Sequence, residues 1–335
     1  MPSSLPFRLS ICIPTYNRAV FLAQLLDSII AQATSDCEIV ISDNASNDNT
    51  QQVASEYGLR FSGLRYLRQN QNIGADRNSD CAVEAATGEY CWLFSDDDLM
   101  KPGAIATVLE ILQDGHSLVL VNGEHRDFTM SQVRVPNFFS IDSDCVYSSK
   151  DYEQLFLDVG TCAMCMCCVV IKRSLWISRE RQRYYDSWFL HTAIVFQQPV
   201  PGTTLVLAKP LMSLRLGNQQ HASFKVWYML WPALLWSFPL NEVTKIRYCR
   251  RDPWRRANFL LALRVLGEYS HADYVRWLRP ALSSLRKRVT PRLIALLPRQ
   301  IAFFVYRIVS LAQGTPRSPH DLVWTMFPKS LRVLL

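Results

Sequence analysis

The chain has 335 residues, 49% of them hydrophobic and 19% charged, with a formal net charge of +7. That length suits one large α/β domain with a smaller appendage, and the apolar content excludes a chain without a packed core. The charge is uneven: residues 1–244 carry 18 Lys and Arg against 25 Asp and Glu, residues 245–307 carry 15 against 3, and residues 308–335 carry 3 against 1.

Leu9–Ile13 reads as a strand that Pro14 ends, and Ala19–Ala31 as a helix with Phe21, Leu22, Leu25, Leu26 and Ile29 at helical spacing. Cys37–Ser42 is a second strand, followed by the turn-rich Asp43–Asp48 and a helix through Tyr57. Leu64–Leu67 is a short third strand, Asp76–Ala86 a helix, and Tyr90–Phe94 a fourth strand, followed by a helix from Ala104. This alternation predicts a mostly parallel sheet wound by right-handed crossovers. Ligands of such sheets sit at the carboxyl ends of the strands, so Pro14–Arg18, Asp43–Asp48 and Asp96–Asp98 fall on one rim.

Residues 116–215 are less regular, with strands expected at Ser117–Val121, Cys165–Ile171 and Thr204–Leu207 and a helix near Trp188–Phe196. After Phe224 the pattern turns helical, aromatic and basic. Val226–Leu240 is uncharged over 15 residues but contains Pro232 and Pro239, and it falls short of the roughly 18–20 residues of a spanning helix. Ile301–Ala312 is interrupted by Arg307. Neither reads as transmembrane.

Ser95-Asp96-Asp97-Asp98 follows the fourth strand. Carboxylates crowded at a strand end repel one another unless a hard cation bridges them, and Mg²⁺ or Mn²⁺ held this way keeps positions open for phosphate oxygens. The alternative is a solvated acidic turn capping the next helix. Cys162, Cys165, Cys167 and Cys168 have a spacing that suggests zinc, but the cluster runs straight into Val169-Val170-Ile171. A buried strand using Cys as a small apolar residue, with Cys167 and Cys168 on opposite faces, is the reading taken.

Ser10–Arg18, Ile41–Thr50, Asn72–Asn78, Gly88-Glu89-Tyr90 and Asp96-Asp97-Asp98 together resemble the family 2 glycosyltransferases of GT-A fold, in layout closest to the O-antigen abequosyltransferase branch. The resemblance covers residues 8–125 firmly and 126–225 loosely. It implies a nucleotide-diphospho-sugar transferase with a Rossmann-like, mostly parallel sheet: residues 1–224 as the GT-A domain, with a nucleotide-sugar half (1–125) and an acceptor-side half (126–224), and 225–335 as a helical basic extension. On this resemblance Pro14, Thr15, Tyr16, Asn17, Arg18, Asp43, Ser46, Gly74, Arg77, Asp97, Arg215 and His221 contact the donor. Asp96 and Asp98 hold Mg²⁺ or Mn²⁺ on the diphosphate. Asp186 is the matching catalytic base, with Tyr185 where relatives carry Glu, and His191 is its rival. For Asp43 the competing reading is an Asx turn, and for Asp186 an N-cap.

The resemblance further implies a nucleotide-sugar donor and a saccharide acceptor, the latter carried on a polyprenyl diphosphate of an O-antigen intermediate. Met1–Pro6 lacks the basic and apolar regions of a signal peptide, which points to the cytoplasm and reduced thiols. Arginines among apolar anchors between Lys245 and Arg307 suit the anionic inner face of a membrane, or else a helical bundle with solvated arginines. No nucleic-acid motif accompanies the charge. A nucleotidyltransferase would place a Gly-rich loop after the first strand, where this chain has Pro14-Thr15-Tyr16-Asn17; a noncatalytic nucleotide-sugar-binding protein is the other alternative.

Overall fold

The structure, a computed structural model, describes residues 7–160, 165–218, 223–312 and 318–324. It divides into two compact units, Met1–Gln219 and Gln220–Leu335. In the first, β1 (Leu9–Thr15), β2 (Cys37–Asp43), β3 (Leu64–Arg68) and β4 (Tyr90–Leu93) alternate with α1 (Ala19–Ile30), α2 (Thr50–Arg60) and α3 (Ala75–Ala85). Then follow β5 (Leu99–Met100), α4 (Ala104–Ile111), β6 (Leu118–Arg126), β7 (Val133–Val135), β8 (Cys145–Ser148), α5 (Tyr152–Val159), β9 (Val169–Lys172), α6 (Arg173–Ser178), α7 (Leu190–Phe196) and β10 (Thr203–Arg215). The described strands form one sheet in the order β3-β2-β1-β4-β9-β6-β10-β5, with β7 on β6 and β8 on β10.

The sheet is parallel from β3 to β4, and β9 enters antiparallel to both β4 and β6. Parallel strands covered on both faces must be apolar throughout. Accordingly β2 and β4 are buried along their whole length, and α1 packs Leu22, Leu25, Leu26 and Ile29 into the core.

Four departures from the expected elements have local causes. Pro14 does not end β1, which pairs with β2 through Thr15↔Asp43. The Cys12 carbonyl accepts from the Phe94 amide at 2.9 Å, so two residues on, the side of Pro14 that lacks N–H faces the end of β4, where no ladder bond is needed. Cys165–Ile171 is not one strand: Met166–Cys168 is a 3₁₀ turn and β9 begins at Val169. The helix near Trp188 starts only at Leu190, because Asp186 and Trp188 hold φ of 67° and 69°. β10 runs far past Leu207, through register shifts on either side of Pro210.

The second unit is helical, with main helices at Glu242–Tyr248, Ala257–Leu266, Leu285–Leu296 and Arg299–Ala312. Its apolar anchors fall into two groups. Trp254, Phe259, Leu260, Leu263, Leu278 and Leu282 are buried, whereas Leu285, Leu293, Leu296, Phe303 and Phe304 are exposed. Among the described residues no helix is long and apolar enough to cross a membrane.

Candidate active site

β1, β2 and β4 bring three polar loops to one rim, and the loops are laced together. Asn17 receives the Asn47 amide on its side-chain oxygen at 2.7 Å and donates its own amide to Ser46 Oγ at 2.8 Å. Asp48 accepts from the Ala19 amide at 3.0 Å and so caps α1. Asn17 takes φ 53°, a left-handed conformation that Asn tolerates.

Asp43 is fully buried at the end of β2. Its Oδ1 accepts from the amide and hydroxyl of Ser46 at 2.9 and 2.5 Å, and its Oδ2 from Tyr66 at 2.6 Å, with Arg68 Nε at 3.7 Å. The amide bonded is three residues on and not the two of an Asx turn, and most of the carboxylate's acceptor capacity is used inside the protein.

The acidic cluster divides its carboxylates. Asp97 accepts from Ser95 Oγ, from Arg18 Nη1 at 2.7 Å and from Asn218 Nδ2 at 2.8 Å. Ser95 thus serves as a donor to its neighbour. Asp96 is 7% exposed, and its nearest cation is Arg18 at 3.9 Å. Burial and the charge of Asp97 push it up to about 7, against the pull of Arg18. Burial and Asp97 likewise raise Asp98 well above the usual carboxylate range; it accepts the Arg215 amide at 2.7 Å and has no Lys, Arg or His within 4.0 Å among the described residues. The Thr15 hydroxyl and the Tyr16 amide face Asp96 and pull it back down. Two buried oxygen-donor carboxylates short of positive charge fit a hard divalent cation, with Asp96 and Asp98 as its ligands.

The guanidinium of Arg215 is held on three sides. It donates to the Asp97 carbonyl at 2.8 Å, to Gln24 Oε1 at 2.7 Å and to the Phe128 carbonyl, with Phe21 stacked at 5.0 Å. Arg215 therefore shapes the acidic loop with three of its five N–H groups. His221, its expected companion, lies outside the described residues.

α3 organises the opposite wall. Gly74 precedes it at φ 89°, a conformation open to glycine. Asp76 accepts from the Trp188 amide at 2.8 Å and the Leu190 amide at 3.1 Å, capping α7 from another helix. Burial pushes Asp76 up to about 6 despite those bonds. Asp80 accepts from Tyr185 at 2.5 Å, Trp176 at 2.8 Å and Arg181 at 3.2 Å. Arg77 pairs with Asp186 at 2.9 Å and lies 4.7 Å over Tyr185. Asp186 is not on the helix that carries His191 but on the preceding loop, with its side chain 67% exposed. His191, in the first turn of α7, is only 7% exposed.

Tyr66, Asp76, Asn78, Asp80 and Cys167 were not singled out from sequence as site residues. Asn78 bonds Ser42 through both ends of its amide, at 2.8 Å each, and so ties α3 to β2. The i, i+4 spacing of Asp76 and Asp80 on α3 was the signal available.

The family model described as Glycosyl transferase family 2 matches residues 10–175. Abequosyltransferase RfbV of Salmonella typhimurium is 28% identical over 223 residues, 63% of this chain and 67% of that protein. The Campylobacter jejuni GalNAc(5)-diNAcBac-PP-undecaprenol beta-1,3-glucosyltransferase is 33% identical over 116 residues, 34% of this chain and 38% of its own length. Among solved structures, Staphylococcus aureus TarS 1-349 superposes with a TM-score of 0.57 at 13% identity, covering 96% of this chain and 90% of that one. The same protein in complex with UDP-GlcNAc gives 0.55 at 15% identity, over 97% and 85%. This likeness establishes a GT-A-type fold.

Proposed function

This chain belongs to glycosyl transferase family 2 through residues 10–175, and from that premise we propose that its rim transfers a sugar from a nucleotide-diphosphate donor to a saccharide acceptor with the help of Mg²⁺ or Mn²⁺. The observation that carries the reading is the pair of buried, charge-starved carboxylates Asp96 and Asp98, left over when Arg18 and Ser95 occupy Asp97. A divalent cation held there neutralises charge on the departing diphosphate.

The chain's own groups do the rest. Thr15, Tyr16 and the Asn17–Ser46 lacing form the floor for the nucleoside, and the remaining acceptor capacity of Asp43 faces a base or ribose donor. Asp186 takes the proton of the acceptor hydroxyl, with Arg77 orienting its carboxylate and Asp76 and Asp80 fixing the loop that bears it.

The acceptor is proposed to be lipid-linked, in keeping with the undecaprenol-linked substrate named for the Campylobacter relative. The second unit offers a matching surface. A cavity of about 470 Å³ is lined by Arg279, Arg288, Arg292 and His271 together with Leu285 and Val289, and Phe304 and Ile308 are exposed on the last long helix. Basic groups beside apolar ones suit an anionic lipid face, each nearby Lys or Arg adding about 1 kcal/mol. The test is transfer of labelled sugar to a polyprenyl-diphosphate saccharide in vesicles with and without anionic lipid. Metal-dependent product formed faster on anionic vesicles supports the reading, and no product with any nucleotide-sugar rejects it.

A further inference from the structure

The segment from Cys165 to Cys168 does more than fill the core. Because Met166–Cys168 is a 3₁₀ turn and not a strand, the argument that neighbouring cysteines point apart fails here. A carboxylate oxygen of Asp98 and the sulfurs of Cys165 and Cys167 all lie within 4.8 Å of one another. Cys167 is built into the acidic loop itself: its Sγ accepts from the Ser95 amide at 3.1 Å and donates to Asp98 Oδ2 at 3.1 Å.

An independent observation converges on the same place. His125 of β6 is 1% exposed, yet neither Nδ1 nor Nε2 has a hydrogen-bond partner among the described residues. It stands edge-on to Phe138 at 4.8 Å and close enough to Cys165 for their charges to interact. Buried imidazoles ordinarily bond through at least one nitrogen. Here a buried ring with two unused nitrogens lies within electrostatic range of Cys165, beside the cluster that Cys165 forms with Cys167 and Asp98.

We propose that Asp98, Cys165 and Cys167, completed by His125, form a site for a thiophilic divalent cation of the zinc class. Two sulfurs, one imidazole and one carboxylate suit zinc, whereas Mg²⁺ and Mn²⁺ favour an all-oxygen set. Tetrahedral zinc with bonds of roughly 2.0–2.3 Å spaces its ligands by roughly 3.3–3.8 Å, so the Asp98, Cys165 and Cys167 atoms close by at most about 1–1.5 Å on binding and His125, which stands outside their 4.8 Å cluster, moves in. Asp98 is shared with the donor site, so a zinc-class ion withdraws it from the diphosphate-binding cation and inhibits transfer. The metal site itself rests on this cluster's geometry and not on the transfer reading.

The test uses the full chain, stripped with a chelator and titrated with Co²⁺ alone as a spectroscopic probe, then with Zn²⁺ in competition. The expected result is one cobalt per chain with a thiolate-to-metal charge-transfer band that zinc bleaches. Cys165→Ser and Cys167→Ser each abolish the band, His125→Gln lowers cobalt affinity by about tenfold or more, and Cys145→Ser leaves it intact. In the unsubstituted chain, zinc protects the partly exposed Cys165 from alkylation, a readout that does not depend on any variant folding. Absence of the band, its survival in both serine variants, or alkylation indifferent to zinc overturns the proposal. Nucleotide binding with Mn²⁺ is measured separately, so failure here is distinct from failure of the transfer reading.

Discussion

Arg18 Nη1 lies 2.7 Å from Asp97 Oδ2, and that ion pair decides which carboxylates of the acidic cluster remain for a cation. Asp97 also takes Ser95 and Asn218, while Asp98 stays buried and Asp96 is buried with only the more distant Arg18, at 3.9 Å, to answer it. Asp96→Asn and Asp98→Asn are each expected to lower Mn²⁺ affinity by about tenfold or more, some 1.4 kcal/mol. Asp97→Asn is expected to change it by less than about threefold, since its carboxylate is already paired. Mn²⁺ titration followed by electron paramagnetic resonance checks this; equal losses in Asp97→Asn and Asp98→Asn would sink the division.

The catalytic base is separable from its rival by exposure. Asp186 sits on an open loop beside Arg77, and His191 is buried in α7. Asp186→Asn is expected to lower kcat by about 10²–10⁴ with donor affinity unchanged. His191→Asn is expected to act on thermal stability first and to leave kcat within about tenfold. Single-turnover transfer with separately measured donor Kd distinguishes the two, and a full-rate Asp186→Asn enzyme removes Asp186 from the mechanism.

Buried carboxylates give the metal-free protein a pH signature. Asp76 and Asp96 are raised by burial to about 6 and about 7, above the 3.8 of a free Asp. The folded state therefore holds more protons than the unfolded state across this window. Their contribution to stability is fully present below about pH 4 and is lost as the pH climbs through 6 to 7. Urea midpoints in chelator are expected to fall over that range, less steeply in Asp76→Asn, and Mn²⁺ is expected to restore them most at the upper end. A contribution from Asp76 that grows with rising pH contradicts the assignment.

Tyr66 and Asp43 couple the third strand to the nucleoside loop through a 2.6 Å hydrogen bond. Tyr66→Phe is expected to cost about 1.5–3 kcal/mol, the range for a hydrogen bond to a charged group. Donor KM is expected to rise as the Ser46 loop loosens, with kcat little changed. Chemical denaturation and steady-state kinetics read the two effects; an unchanged stability together with an unchanged KM would show the bond to be idle.

Much of this was legible in the sequence because the parallel half of the sheet repeats one rule, an apolar strand followed by a polar turn and an amphipathic helix. That rule places Pro14–Arg18, Asp43–Asp48 and Asp96–Asp98 on a common rim, where the strand ends stand in the structure. It does not reveal how polar groups share partners. Arg215 and Arg18 look alike as cations in a sequence, yet the first is held by backbone carbonyls and Gln24 and the second by Asp97. The trans-cap that Asp76 gives α7 joins residues 112 and 114 positions apart, beyond any local pattern. Cys167 was hidden for another reason: the apolar run after it suggested a strand, and the 3₁₀ turn that aims its sulfur at Asp98 has no strong sequence mark.

The most direct measurement is calorimetric binding of a panel of nucleoside diphosphates and nucleotide-sugars to the full chain, with Mn²⁺ and with chelator, in the unsubstituted protein and in Asp98→Asn. One nucleotide is expected to bind with Mn²⁺, to lose about tenfold or more in affinity with chelator, and to show no metal dependence in Asp98→Asn. Binding of that nucleotide equally well without metal, or binding of none of the panel, would contradict a metal-assisted nucleotide-sugar site at Asp96 and Asp98.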